Sequence, residues 1–238
     1  MHVKVGTSGY SYKEWKGRFY PEKIKEAEML AFYAQRFPTV EINNTFYRMP
    51  SAPLVARWAE QVPAGFTFVL KAPQRITHQK RLGDVGDDVA FFLETAGALG
   101  GKLGPVLFQL PPYLKKDVGR LQALLDRLPA RPRAAFEFRH ASWLDEEVRG
   151  VLAAKDAALC LADTDEEPLG EATSTAGWGY LRLRRAAYTE ADLAAWSERI
   201  LAQAWEEAFV FFKHEDEARG PELAVAMMAR LRGTGEVS

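Results

Sequence analysis

Eight short apolar runs recur along the chain, separated by longer amphipathic stretches: Val3–Thr7, Thr39–Asn43, Phe66–Lys71, Val106–Leu110, Ala134–Arg139, Ala158–Asp163, Gly179–Leu183 and Ala208–Lys213. Strand-length runs alternating with helix-length ones favour a parallel α/β architecture over a sandwich or a bundle. Helices fit Ala27–Arg36, Pro53–Gln61, Asp87–Leu99, Val118–Arg127, Leu144–Lys155, Glu190–Trp205 and Pro221–Leu231. Thr189 with Asp192 resembles a capping box, Ser51 precedes Pro53 at a helix start, and Pro38, Pro63 and Pro129 follow helix ends. Only the link 164–178, acidic and then rich in small residues, breaks the rhythm, and it is expected to hold a short helix or none. The expectation is an α/β single-domain TIM-type (β/α)8 barrel over residues 1–238, irregular between strands six and seven, with a flexible tail from about 233 to 238.

The stretch Ala134-Ala-Phe-Glu-Phe-Arg139 shows what one stave would carry. At the two-residue period of a strand, Phe136 and Phe138 share one face, and Ala135, Glu137 and Arg139 share the other. Aromatic rings that pack outward on helices would leave Glu137 and Arg139 facing the barrel interior at its carboxyl end, where barrel sites lie. The same parity selects Glu41 and Asn43 on strand two, Lys71 on three, Gln109 on four, Asp163 on six, Arg182 and Arg184 on seven, and Lys213 on eight. The partner face is repeatedly apolar: Ile42, Phe68, Leu70, Phe108, Leu181, Leu183 and Phe212. A common pocket explains that coincidence better than independent surface strands.

Further matches are longer motifs. Gly6-Thr-Ser-Gly-Tyr-Ser-Tyr12 is followed by Trp15, Gly17 and Phe19-Tyr20-Pro21, then by Phe37-Pro38 and Val40-Glu-Ile-Asn-Asn-Thr-Phe-Tyr47. Later come Trp58, Phe66-Thr-Phe-Val-Leu-Lys71, Ile76-Thr-His78, Leu103-Gly-Pro105, Phe108-Gln-Leu-Pro-Pro112, and Glu137-Phe-Arg139 with Ser142-Trp143. Together they resemble the DUF72 family of YecE-like proteins, densely from Val3 to about Asp163 and more thinly beyond. The resemblance implies a TIM-like barrel and a site at its mouth; it supplies no reaction. Two departures stand out. Arg182-Leu-Arg-Arg185 replaces an expected Arg-x-His-Gly segment, and Lys213-His214-Glu215 replaces an expected paired Asn, so a mechanism through that His or those Asn residues is in doubt here.

Composition limits the partners. The 31 basic and 32 acidic residues nearly cancel, so no global field draws the chain to nucleic acid or an anionic membrane, and any anion site must be local. A nucleic-acid end remains a lesser alternative ligand. The single cysteine, Cys160, can form no internal disulfide and lies in an apolar run, as a small buried hydrophobe would. Neither a leader-like start nor a bilayer-length apolar run is present, so a cytoplasmic location without membrane partners is expected. Oligomeric state leaves no sequence signal.

In the shared pocket, Glu41, Glu137, Lys71 and Asp163 are the candidate catalytic groups. Two carboxylates in one cavity suit acid–base work, as in glycosidases, but the surrounding cations hold both acids ionised and disfavour a neutral general acid. Cations in excess point instead to an anionic ligand, since Arg presents a planar fork to phosphate or carboxylate. Tyr10, Asn43, His78, Gln109, Arg139, His140, Trp143, Arg182, Arg184 and Lys213 are the candidate ligand-binding residues. The loop 72–83, with Arg75, His78, Lys80 and Arg81, would close over an anion as a lid or remain a solvated basic loop. No cofactor is expected. A divalent metal among Glu41, Glu137, Asp163 and His214 is a minor alternative, because the four histidines show no ligand spacing and His214 lies on the opposite parity. Ser8 with His140 lacks a nucleophile elbow. The expectation is an enzyme that hydrolyses or deprotonates a phosphorylated or otherwise anionic small molecule, with Glu41 or Glu137 as base. The alternatives are a non-catalytic binding protein for an anionic metabolite, a metal-dependent isomerase or phosphoesterase, and an internal ion network without a ligand.

Overall fold

The computed structural model describes residues 1–166, 174–214 and 216–233. Nine parallel strands form one sheet: β1 (His2–Ser8), β2 (Thr39–Ile42), β3 (Thr67–Lys71), β4 (Leu103–Gln109), β5 (Ala134–Glu137), β6 (Ala158–Leu159), β7 (Leu161–Asp163), β8 (Trp178–Leu183) and β9 (Glu207–Phe212). Their order is β6-β5-β4-β3-β2-β1-β9-β8-β7. The two end strands are thus consecutive in the chain and separated only by Cys160, so the sheet curls into a nearly closed barrel. The expected sixth strand is therefore two. Ala158 and Leu159 pair with β5, whereas Leu161 to Asp163 pair with β8. The Cys160 amide still donates to the Phe136 carbonyl at 2.8 Å, so pairing passes from one neighbour to the other at this residue.

Among the described residues the α-helices are α1 (Glu26–Ala34), α2 (Asn44–Tyr47), α3 (Ala52–Glu60), α4 (Gly86–Ala96), α5 (Val118–Leu125), α6 (Glu146–Ala153), α7 (Glu190–Leu201) and α8 (Arg219–Gly233). Local chemistry sets their starts. Asp117 and Asp145 accept the backbone N–H groups of Arg120 and Val148, and Thr189 forms the expected capping box with Asp192. Helix α2 has no counterpart in the apolar periodicity. It begins where Asn43 leaves the strand, so Asn43 belongs to a turn and not to β2.

Two apolar layers result from strand parity. Outward, Leu70, Phe108, Phe136, Leu181, Leu183 and Phe212 join the layer beneath the helices. Phe136 is fully buried and stacks on Phe108 at 5.2 Å between ring centroids, a position where losing the ring typically costs about 3–5 kcal/mol. Inward, Val69, Leu107, Ala135, Cys160, Trp178, Tyr180, Phe209 and Phe211 fill the barrel. The interior is a packed plug, and the polar residues lie at its carboxyl end. The middle of the irregular link, 167–173, and the expected tail beyond Gly233 lie outside the described residues, as does Glu215. No described helix is long and apolar enough to cross a membrane.

Candidate functional site

Arg182 stands at the centre of the carboxyl-end layer. Its inward position on β8 follows from parity with Tyr180, and it is 2 % exposed. Its Nη1 donates to Glu137 Oε2 at 2.5 Å and its Nη2 to Glu41 Oε1 at 2.9 Å, so one guanidinium on β8 ties together β5 and β2, which lie three strands apart in the sheet order. Ser8 Oγ and Asn43 Nδ2 also donate to Glu41 Oε1, at 2.7 and 3.2 Å, and Tyr180 donates to its other oxygen at 2.6 Å. Gly9, with φ +88, turns the chain directly after β1, and its amide bonds the Glu41 carbonyl, which fixes Ser8 beside the carboxylate. Glu137 Oε1 accepts from Gln109 Nε2 at 2.7 Å and from Arg184 Nη1 at 3.4 Å.

Burial alone would raise both carboxyl pKa values. Burial is the largest single influence, but Arg182 together with Ser8 and Tyr180 at Glu41, and with Arg184 and Gln109 at Glu137, offsets it, so both groups stay below the usual carboxylate range. Burial pushes the Tyr180 phenol well up, and Glu41 beside it adds to the shift, so Tyr180 is a donor and not a base.

Lys71 has different company. It lies at the end of β3 and is buried, with its Nζ 2.7 Å from Gln109 Oε1 and 4.0 Å from the centre of the Phe46 ring. Among the described residues, no carboxylate lies within salt-bridge reach of it. Because Gln109 Nε2 faces the Glu137 carboxylate, its amide oxygen must face Lys71, and the side chain is thereby oriented. Burial and the neighbouring Arg182, joined by Lys213, lower the Lys71 pKa to about 8 against the upward pull of Glu41 and Glu137. His78 packs edge-on against Phe46 at 4.9 Å and bonds Thr77, and burial together with Lys71 and Arg139 lowers its pKa.

Thus Glu41, Asn43, Lys71, Gln109, Glu137, Arg182 and Arg184 form one connected hydrogen-bonded network. Other expected site residues lie apart. Asp163 faces outward: its Oδ2 accepts from Arg185 Nε and Trp196 Nε1, both at 2.9 Å, and its register partner is the outward Leu183. Its strand is apolar on both sides, so alternation gave no sign of which face was inward. Arg139 lies beyond the end of β5 and is exposed, so it belongs to the rim and not to the buried layer. His140 caps a short turn, its Nδ1 accepting the Ser142 amide at 3.1 Å. Trp143 is buried, stacks on Phe138 at 4.7 Å and donates to the Leu114 carbonyl, which makes it a packing residue. Tyr10 packs against Tyr33, and burial pushes its pKa up to about 12. Arg75 and Lys80 of the expected lid both pair with Asp88 on α4.

The segments 182–185 and 213–215, expected to depart from the resembled pattern, place their described cations on both faces. Arg184 turns inward to Glu137, whereas Arg185 pairs outward with Asp163 and Asp192. His214 bonds the Arg185 carbonyl at 2.6 Å. Arg184 and Lys213 line a cavity of about 820 Å³, together with Arg18, Arg185, Ala186, His214, Asp216, Glu217, Arg219 and Glu222. Among the described residues, no three His, Cys, Asp or Glu side chains converge as a metal site would require. Parity missed Ser8 and Tyr180, although Tyr180 shares the face of Arg182 two residues away.

A nearly closed parallel barrel with a polar layer at its carboxyl end defines a protein of the TIM-barrel class. The chain belongs to the family described as Protein of unknown function DUF72, which it matches over residues 4–237. It is 36% identical over 139 residues to the UPF0759 protein YecE of Escherichia coli K12, a match covering 58% of this chain and 48% of that one. With the UPF0759 protein YunF of Bacillus subtilis it shares 30% identity over 151 residues, 59% of this chain and 52% of that protein. The matched regions span about half the length of these relatives. Among solved structures, a DUF72 family protein of Thermotoga maritima aligns with TM-score 0.82 and 26% identity, over 98% of this chain and 100% of that one. One from Enterococcus faecalis aligns with the same score at 20% identity, covering 97% and 95%, and supports the fold.

Proposed function

We propose that the protein is an enzyme acting on a phosphorylated or otherwise anionic small molecule at the carboxyl-end mouth of the barrel, with Lys71 as the group that reacts. The observation that carries this reading is the contrast within one layer. Glu41 and Glu137 have their oxygens occupied and are held ionised, whereas Lys71 is a buried amine that, among the described residues, bonds a neutral amide and lies over a ring face. An amine with a pKa of about 8 is partly neutral near pH 7 and serves as a base or nucleophile. The carboxylates, read from sequence as bases, then act as counter-ions that fix Arg182. Arg139, Arg184 and Lys213 supply cations for the substrate anion, since local positive charge stabilises charge developed on a reacting group.

Phosphate tests the anion site. It should raise native stability by RT ln(1 + [L]/Kd), about 2.7 kcal/mol at a hundredfold excess over Kd. The rise should saturate in the low-millimolar range in wild type and be largely lost in Arg139→Gln. Equal responses, or none in either protein, support an internal ion network without a ligand. Lys71→Met should bind phosphate yet lose turnover across a phosphatase, esterase and isomerase panel. Tight binding without turnover in wild type itself supports a receptor.

A further inference from the structure

Among the described residues, six buried side-chain atoms have no hydrogen-bond partner, and three of them, Asn43 Oδ1, Arg182 Nε and Arg184 Nε, belong to the network. Buried polar groups are nearly always satisfied, so three orphans in one cluster mark a place where a ligand or water completes the bonding. Lys71 stands in the same cluster, three hydrogen bonds from Arg184 through Gln109 and Glu137. We propose that Lys71 captures the carbonyl of a small aldehyde or ketone bearing a phosphate or carboxylate, forming an iminium, while Arg139, Arg184 and Lys213 at the carboxyl-end rim take the anionic group. This deepens the reading above and rests on it.

The chemistry asks for an amine that is neutral part of the time, shielded from bulk water and not tied to a carboxylate. Lys71 meets each condition. Its Nζ faces a neutral acceptor, its side chain is 8 % exposed, and Phe46 covers one side. The depressed basicity of the amine, set by burial and Arg182, agrees with this geometry. In the step itself, the Nζ lone pair forms a C–N bond as the carbonyl π pair moves to oxygen. A proton passes from nitrogen to that oxygen, giving a carbinolamine. A second proton, the one the ammonium first released to solvent, lets the oxygen leave as water while the C=N bond forms. Overall, ammonium and carbonyl give an iminium and one water, with no oxidant or reductant. Gln109 is a positioning residue, since its amide is fixed by Glu137 and in turn aims Nζ.

The test is borohydride trapping of the full chain with glycolaldehyde phosphate, followed by mass mapping of the reduced adduct. The expected result is one adduct at Lys71, formed at least tenfold faster than at any other lysine, slowed by inorganic phosphate and absent in Lys71→Arg. Gln109→Leu should slow trapping at Lys71 at least fivefold without changing the slow labelling of surface lysines. Even labelling of surface lysines with Lys71 unmodified, while phosphate still stabilises wild type and not Arg139→Gln, overturns the iminium and leaves the anion site standing. No adduct at Lys71 and no phosphate response overturns both. Trapping at Lys71 that is equally fast with unphosphorylated glycolaldehyde and insensitive to phosphate supports carbonyl capture and overturns the anion site.

Discussion

Arg182 and Lys71 share the inward face of the barrel, yet one bonds two carboxylates directly and, among the described residues, the other has none within salt-bridge reach. Arg182 bonds Glu41 and Glu137 directly, so its charge is neutralised where it lies. Among the described residues the Lys71 amine meets Gln109 and the Phe46 ring, and burial together with the cation beside it makes its own charge costly. Buried ion pairs that satisfy each other hold a structure in register; a buried cation left without a counter-ion is a common mark of a functional group. The contrast is what the proposed division between a structural arginine and a reacting lysine rests on.

The largest effect expected is on the scaffold side. Arg182→Leu leaves Glu41 and Glu137 buried without their shared counter-ion and should cost about 3–5 kcal/mol in denaturant unfolding at pH 7. A loss under about 1 kcal/mol would mean that water reaches the carboxylates and that the network is not closed.

Lys71 should behave in the opposite way. Its pKa is lower in the folded state than in the unfolded chain, so the unfolded state binds more protons between about pH 8 and 10.5. The linkage sign makes stability rise with pH across that window; the benefit is complete above the unfolded value and lost as pH falls through about 8. Relative to Lys71→Met, wild type should thus gain roughly 2–3 kcal/mol from pH 7 to pH 10. Arg182, Glu41, Glu137, Lys213 and His78 face the same amine, and all remain in the variant, so the difference isolates Lys71. Parallel stability curves for the two proteins would remove the distinction between the two cations.

The smallest effect concerns the rim. Arg139 is exposed, so Arg139→Gln should change stability by less than about 0.5 kcal/mol in the absence of phosphate. A larger loss would make it part of the scaffold and blur the boundary drawn here.

Alternation made most of the buried polar layer legible in the sequence. Glu41, Lys71, Gln109, Glu137 and Arg182 each alternate with large apolar neighbours, and a one-residue slip would have buried the charges under the helices. The same logic failed where a strand offered no contrast. In Ala158 to Asp163 both faces are apolar, and only the larger Leu159 and Leu161, set like Leu181 and Leu183, show that Asp163 points outward. Arg139 was misplaced because the strand stops at Glu137, and strand ends carry little sequence signal. Tyr10 and Trp143 are aromatic residues of barrel-mouth loops, where rings mostly pack, and His140 caps a turn. What periodicity cannot show is pairing. That Glu41 and Glu137 both close on Arg182 and leave Lys71 without a carboxylate depends on side-chain distances across the barrel.

The ionisation of Lys71 tests that division most directly. In protein labelled with 13C at lysine Cε, the Lys71 resonance, assigned by its loss in Lys71→Arg, can be followed from pH 6 to pH 11. The account predicts a midpoint near pH 8, well apart from the exposed lysines near the ordinary value of about 10.4. A midpoint among those of the exposed lysines would contradict it, because Lys71 would then be fully charged near pH 7 and no different from a surface amine.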